Sequence, residues 1–337
     1  INPYALSVII SSLALGTIIT LSSYHWILAW IGLEINTLAI IPLMTKNPHP
    51  RAIEAATKYF LTQAAASALI LFSSTLNAYA LGEWAIDTPT HPISAILLSI
   101  AIAMKLGVAP FHFWLPEVLQ GSTLQTGLIL STWQKLAPMV LLLQLSQSVN
   151  LNLLLTLGIL STMVGGWGGI NQTQIRKILA FSSVAHLGWM VAILKISPQL
   201  TLLNFSLYIL MTSTLFLTFM SLSTKNMYEL STSWSKTPAL AAFSLLSLLS
   251  LSGLPPLTGF MPKWLIAQEM IKQNMIMFAL IILLSTLLSL FFYLRLTYSM
   301  SLTLAPSLSS SPTSWSYPPK NMLAMPMMLS LLLLPVT

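Results

Sequence analysis

Apolar residues fill consecutive positions along this chain, in blocks of about twenty separated by short polar stretches. Consecutive apolar residues argue against the alternating polarity of a membrane β-barrel. They predict helices that satisfy their own backbone in lipid. Eleven such spans stand out: 3–21, 24–44, 55–80, 93–110, 123–145, 151–170, 174–195, 200–222, 239–268, 275–299 and 321–337. The first begins at Pro3 with no basic flank, so it reads as a retained span rather than a cleaved signal peptide. The fold class is therefore all-α and polytopic, a single membrane domain over 1–337.

Two spans are interrupted. The stretch from Ala239 to Gln268 would run about 45 Å as one helix, longer than the lipid core. It contains Gly253, Pro255, Pro256 and Pro262, and prolines remove donors and clash with preceding carbonyls. The fourth span breaks in the same way around Gly107, Pro110 and Pro116. Broken helices at membrane depth are tolerated where they line a wet cavity or are buried in protein. Spans one to five (3–145) and six to ten (151–299) form two tandem units, with the break in the fourth span of each. An odd span count turns the second unit over, which gives two inverted five-helix repeats and a C-terminal helix at 321–337.

Composition fits lipid. Of 337 residues 55% are hydrophobic and 6% charged, far below the roughly 25% charged of soluble domains. The net charge of +7 is too scattered for nucleic acid. It does orient the chain. Lys46, Arg51, Lys58, Arg176, Lys177, Lys225, Lys236, Arg295 and Lys320 fall on one side, and only Lys195 and Lys272 on the other. That bias places the N-terminus on the positive side. Cysteine is absent, which excludes disulfides, thiolate catalysis and iron–sulfur ligation by this chain. His25, His49, His91, His112 and His186 offer no evident haem pair, and no HExxH, phosphate loop or Ser-His-acid set is present. No loop exceeds about twenty residues, so no soluble domain can be housed outside the membrane.

Four charges lie within the apolar spans: Glu34, Lys105, Lys135 and Lys263. Each costs about 2.5–3.5 kcal/mol at mid-bilayer, which marks it as a functional candidate. Lysine can release its proton where arginine cannot, so three lysines and one glutamate suit a proton relay. Glu34 is expected to pair with Lys105. His112, His186, Ser182 and Ser183 are candidate relay supports. The alternative is a set of structural ion pairs or lysines snorkelling to an interface. Gly165, Gly166, Gly168 and Gly169 read as close helix packing.

Three runs carry a resemblance: Asn171–Ser183, Lys105–Glu117 and Gly253–Trp264. They are similar to the subunit 2 family of NADH dehydrogenase, vertebrate in form, among the antiporter-like membrane subunits of mitochondrial respiratory complex I. The resemblance implies proton translocation through a midplane relay of Glu, Lys, His and water. It implies that NADH, FMN, iron–sulfur clusters and ubiquinone are used by the complex, with no cofactor or metal on this chain. Implied partners are the other membrane subunits, including subunits 4 and 4L, accessory subunits and lipids such as cardiolipin. The implied location is the mitochondrial inner membrane, with the N-terminus in the matrix. By resemblance, Glu34, Lys105, Lys135 and Lys263 match the family's key positions, whereas the second unit has no carboxylate matching Glu34. A stand-alone cation/proton antiporter and a non-conducting spacer are the competing readings.

Overall fold

The structure, a computed structural model, describes residues 2–46, 48–86, 90–235, 238–302 and 330–331. Among them the regular elements are helices: α1 (Pro3–Ser22), α2 (Trp26–Met44), α3 (Pro50–Leu81), α4 (Pro92–Leu106), α5 (Trp114–Gly121), α6 (Leu124–Ser131) and α7 (Leu136–Gln144). Then follow α8 (Leu151–Ile170), α9 (Ile175–Ile193), α10 (Pro198–Leu222), α11 (Met227–Ser231), α12 (Pro238–Ser252), α13 (Phe260–Lys272) and α14 (Ile276–Ser301). Proline opens α1, α3, α4, α10 and α12, where its missing N–H has no helical partner to lose. His25 and His49 cap α2 and α3: each Nδ1 accepts at 3.2 Å from a backbone N–H, of Ile27 and Arg51 respectively.

Among the described residues, seven helical stretches are long and apolar enough to cross a membrane. The chain is a multi-pass membrane protein. Helices α4 and α12, with 15 residues each, reach only about 22 Å and continue beyond a break. Helix α3 starts at Pro50, earlier than its apolar run, because Arg51 and Glu54 extend it past the lipid-matched length. The eleventh span, 321–337, lies outside the described residues apart from 330–331.

The chain divides into two compact units, Ile1–Ser161 with Val191–Pro198, and Thr162–Met190 with Gln199–Thr337. In the first, α1 and α2 cross at Gly16 and Gly32. A Cβ at either glycine would come within 2.9 Å of the other's carbonyl oxygen. In the second, the glycine run of α8 packs both of its neighbours. A Cβ at Gly165 or Gly168 would collide with Ala185 or Phe181 of α9, and one at Gly166 or Gly169 with Leu288 or Phe292 of α14. Small residues let helices approach closely where lipid supplies no hydrophobic drive.

Contacts between helix ends tie each unit together. The Trp26 N–H donates to Trp84 and the Ile86 N–H to Tyr24, joining the α1–α2 and α3–α4 loops. His25 stacks on Trp84 at 5.8 Å. The Ile175 N–H donates to Lys225 and the Met227 N–H to Thr173, joining the α8–α9 and α10–α11 loops. Lys58 of α3 bridges to Glu117 of α5 at 2.6 Å. Lys195 donates to the Val149 carbonyl at 2.7 Å. Arg295 of α14 donates to the carbonyls of Ile170 and Gln172. Each contact joins helix ends within one unit.

The glycine run yields a direct test. Gly169→Leu should destabilise the protein by about 1–3 kcal/mol through overpacking against Phe292. Trp167→Ala, whose side chain is 75% exposed, should change stability little. Thermal unfolding of the two variants in detergent distinguishes them, and equal losses would reject the packing account.

Candidate functional site

The two broken helices share one register. Helix α4 runs 15 residues from Pro92 and ends at Gly107, which has φ 78°; α12 runs 15 from Pro238 and ends at Gly253, which has φ 83°. Such positive φ at a helix C-terminus favours glycine. In both units the next helix starts seven positions on, as Trp114-Leu115-Pro116-Glu117 and as Phe260-Met261-Pro262-Lys263. Pro116 and Pro262, expected as break residues, instead sit in the first turn of α5 and α13, where proline is tolerated. Pro110 and Pro256 occupy matching places in the connecting loops, and Pro255 precedes the latter. Lys263 therefore corresponds to Glu117, and Lys105 to Leu251. Both lysines lie beside matched breaks, yet they occupy different positions.

A helix end leaves carbonyls without intrahelical partners. At the end of α4 the protein answers them without Lys105. The N–H groups of Gly107 and Val108 both donate to Ala103, Trp114 Nε1 donates to Met104 at 3.1 Å, and Gln63 Nε2 donates to Lys105 at 3.4 Å. The Lys105 ammonium is buried and has no hydrogen-bond partner in the protein. At the end of α12 the lysine does the capping. Lys263 reaches back across the break, and its Nζ donates to the carbonyls of Ser252 at 2.8 Å and Leu251 at 3.5 Å. A cation at a helix C-terminus is favoured by the macrodipole as well.

In the first unit a cavity of about 20 Å³ is lined by Lys105, Lys135, Asn36, Gln134, Gln63 and Tyr59, among others. That is room for a water molecule. Lys135 is 3% exposed and closes a short 3₁₀ turn, Trp133–Lys135, between α6 and α7. This third interruption was not expected from the apolar pattern. Its signal is Pro138, whose ring removes the donor for the Gln134 carbonyl. Gln134 Nε2 in turn holds the Asn36 carbonyl of α2 at 3.0 Å.

Glu34 lies on α2, one turn after Trp30, whose Nε1 donates to the Ser67 carbonyl at 3.1 Å. Its Oε2 is buried without a hydrogen-bond partner, and its charge is close enough to act on Lys105 and Tyr59. The expected direct Glu34–Lys105 pair is not made, since Lys105 Nζ bonds no protein atom. Glu34 is not among the residues that line the cavity, whereas Asn36, two positions on, is. His112 is buried in the first break, where it hydrogen-bonds the Pro110 carbonyl and packs on Phe113 at 4.2 Å; it does not line the cavity.

In the second unit a cavity of about 10 Å³ brings His186 of α9 beside Lys263, with Tyr293, Trp189 and Ser289. Ser182 and Ser183 each donate to their own helix, to the carbonyls of Leu179 and Ala180. Ser183 also hydrogen-bonds Tyr208, whose ring lies 5.6 Å from His186. The serines thus adjoin the His186–Lys263 cavity without lining it. Among the described residues no group of three His, Asp or Glu converges as a metal site would require.

This geometry has close parallels. The family profile for the transmembrane region of NADH:quinone oxidoreductase and Mrp antiporters matches residues 23–289, and that for the C-terminus of NADH dehydrogenase subunit 2 matches 290–337. NADH-ubiquinone oxidoreductase chain 2 of Aquarana catesbeiana is 65% identical over 290 residues, covering 86% of this chain and 84% of that one. The Squalus acanthias chain 2 is 59% identical over 339 residues, covering 100% and 97%. A chain of respiratory complex I from Thermus thermophilus with bound aureothin superposes with a TM-score of 0.85 at 27% identity, over 99% of this chain and 80% of that one. A chain of the Mrp complex from Dietzia superposes at 0.78 with 18% identity, over 88% and 63%, a likeness of fold alone.

The two glycine caps should differ when substituted. Forcing a Cβ into the left-handed region costs about 1–2 kcal/mol, so Gly107→Ala and Gly253→Ala should both destabilise. Gly253→Ala should cost more, because its Cβ would stand 2.8 Å from Lys263 Nζ and push the cap off Ser252. Equal losses in detergent unfolding would show that Lys263 does not hold that end.

Proposed function

Because the chain belongs to the chain 2 family of NADH-ubiquinone oxidoreductase, within the NADH:quinone oxidoreductase/Mrp antiporter transmembrane family, we propose that it is a proton-translocating membrane subunit of that oxidoreductase. The observation that carries the reading is the first cavity: two buried lysines from different helices line one water-sized space beside a helix break. A lysine that shares water with a second lysine can hand over a proton, and its neutral form is less costly to bury than its charged one.

In the first unit Glu34 acts electrostatically on Lys105, which exchanges protons with Lys135. In the second, Lys263 exchanges with His186, and Ser182 and Ser183 extend the polar surroundings. His112 supports the first break. The stretches 3–145 and 151–299 are inverted repeats of one another. The matched broken helices support this frame, as do the matched clasps His25–Ala85 and Gln174–Asn226, each joining the first and third loops of its unit.

The oxidation of NADH and reduction of ubiquinone, with FMN and iron–sulfur clusters, fall to other subunits; this chain supplies proton movement. Its partners are other membrane subunits, including 4 and 4L, accessory subunits and lipids such as cardiolipin. It resides in the mitochondrial inner membrane with its N-terminus in the matrix. A second reading, a stand-alone cation/proton antiporter, draws on the fold likeness to the Mrp chain.

Lys→Arg substitutions test the relay, because arginine keeps the charge and does not release its proton. In the assembled oxidoreductase reconstituted in vesicles, Lys135→Arg and Lys263→Arg should lower the protons moved per NADH oxidised while quinone reduction with uncoupler persists. Unchanged stoichiometry in both variants would favour a spacer. Sodium- or potassium-driven proton exchange by the purified chain alone would favour the antiporter.

A further inference from the structure

Asn36 has no part in the relay just described, yet it is the most conspicuous side chain in the first cavity. It is 2% exposed, and neither its Oδ1 nor its Nδ2 has a hydrogen-bond partner in the protein. A buried amide without partners is costly, and native structures almost always satisfy one. Its neighbours in the cavity are committed elsewhere: Gln63 Nε2 to the Lys105 carbonyl and Gln134 Nε2 to the carbonyl of Asn36 itself. On the other flank the amide rests against α1, where a Cβ on Gly16 would come within 2.7 Å of Oδ1. The side chain is therefore packed against Gly16 of α1, and Asn36 is at the same time one of the residues lining the space shared with Lys105 and Lys135.

We propose that Asn36 is a positioning residue that holds a buried water between Lys105 and Lys135. The site has the two properties such a water needs, about 20 Å³ of room and several polar partners. The Asn36 carboxamide and the two lysine amines would supply those partners. The carboxamide does not titrate, so it fixes the water without taking its proton. Transfer then balances through one molecule. An Nζ–H bond of protonated Lys105 breaks as a new O–H bond forms on the water. One of the water's original O–H bonds breaks as an Nζ–H bond forms on neutral Lys135. The water is regenerated, and the charge has moved from Lys105 to Lys135.

The inference rests on the proton-relay reading, and its test separates the two. In the assembled oxidoreductase in vesicles, Asn36→Leu keeps the side-chain size and removes the hydrogen bonds. It should slow coupled proton pumping roughly five- to tenfold, the order of one lost hydrogen bond in the transfer step, with uncoupled quinone reduction unchanged. Asn36→Ser, whose hydroxyl can still bond the water, should retain most of the pumping; a purely structural asparagine would not be rescued in this way. High-resolution maps should show water density between Asn36, Lys105 and Lys135 in the wild type and the Ser variant, and none in the Leu variant. Wild-type pumping by Asn36→Leu would overturn the proposal, and so would a dry wild-type cavity in a map that resolves waters elsewhere. Should the Leu variant fail to assemble, the wild-type density and the Ser variant decide by the same criteria. Normal pumping by Lys135→Arg with the water present would instead sink the relay reading and leave the water site standing.

Discussion

A backbone carbonyl without a helical partner at membrane depth has to be answered by something in the protein, and this requirement organises both halves of the chain. Water is scarce there, and each unsatisfied group costs several kcal/mol. Both α4 and α12 stop short and expose their last carbonyls. The first end is closed by backbone N–H groups, Gln63 and Trp114. The second is closed by the Gly253 N–H and by Lys263. The same geometric problem is solved once with neutral donors and once with a cation. The neutral solution leaves the Lys105 ammonium uncommitted to any protein atom. The two units therefore present their lysines differently, although their broken helices follow one register.

Much of the fold was legible in the apolar pattern, because a helix in lipid must be apolar on consecutive residues over a fixed length. The span starts at 3, 93, 200 and 239 lie within two residues of a proline at the first helical position, whereas α3, which also opens on proline, was read from 55. The breaks around Gly107 and Gly253 were legible because proline and glycine coincide at both, with excess length as a further signal at the second. Helix α3 was read too short because hydropathy reports lipid and not helix, and the helix continues through Arg51 and Glu54. The break at Trp133–Lys135 was missed because Pro138 alone lies within an otherwise apolar stretch. The gapless register of 92–117 with 238–263 was hidden by low identity. It survives in prolines and glycines, the residues that fix backbone shape.

For the candidate site, the sequence located the charges and not their contacts. Lys105 and Lys135 share a cavity, as do His186 and Lys263. Glu34 and His112 stand beside the first cavity rather than in it. Periodicity could have shown that Glu34 and Asn36 face opposite sides of α2. Nothing in it could have shown that Asn36 is wedged against Gly16, because that contact depends on how closely two helices cross.

The reach of Lys263 across its break has a mechanical side. A proton on this amine gives a charge-assisted hydrogen bond to the end of α12, about twice as strong as a neutral one. When the proton leaves, the bond weakens and the macrodipole loses its counterion. The end of α12 is thereby fastened or loosened by the same particle that the amine would carry. If Lys263 carries the proton as proposed, its charge state and its grip on the end of α12 change together, so the two half-helices are held most firmly when the amine is charged.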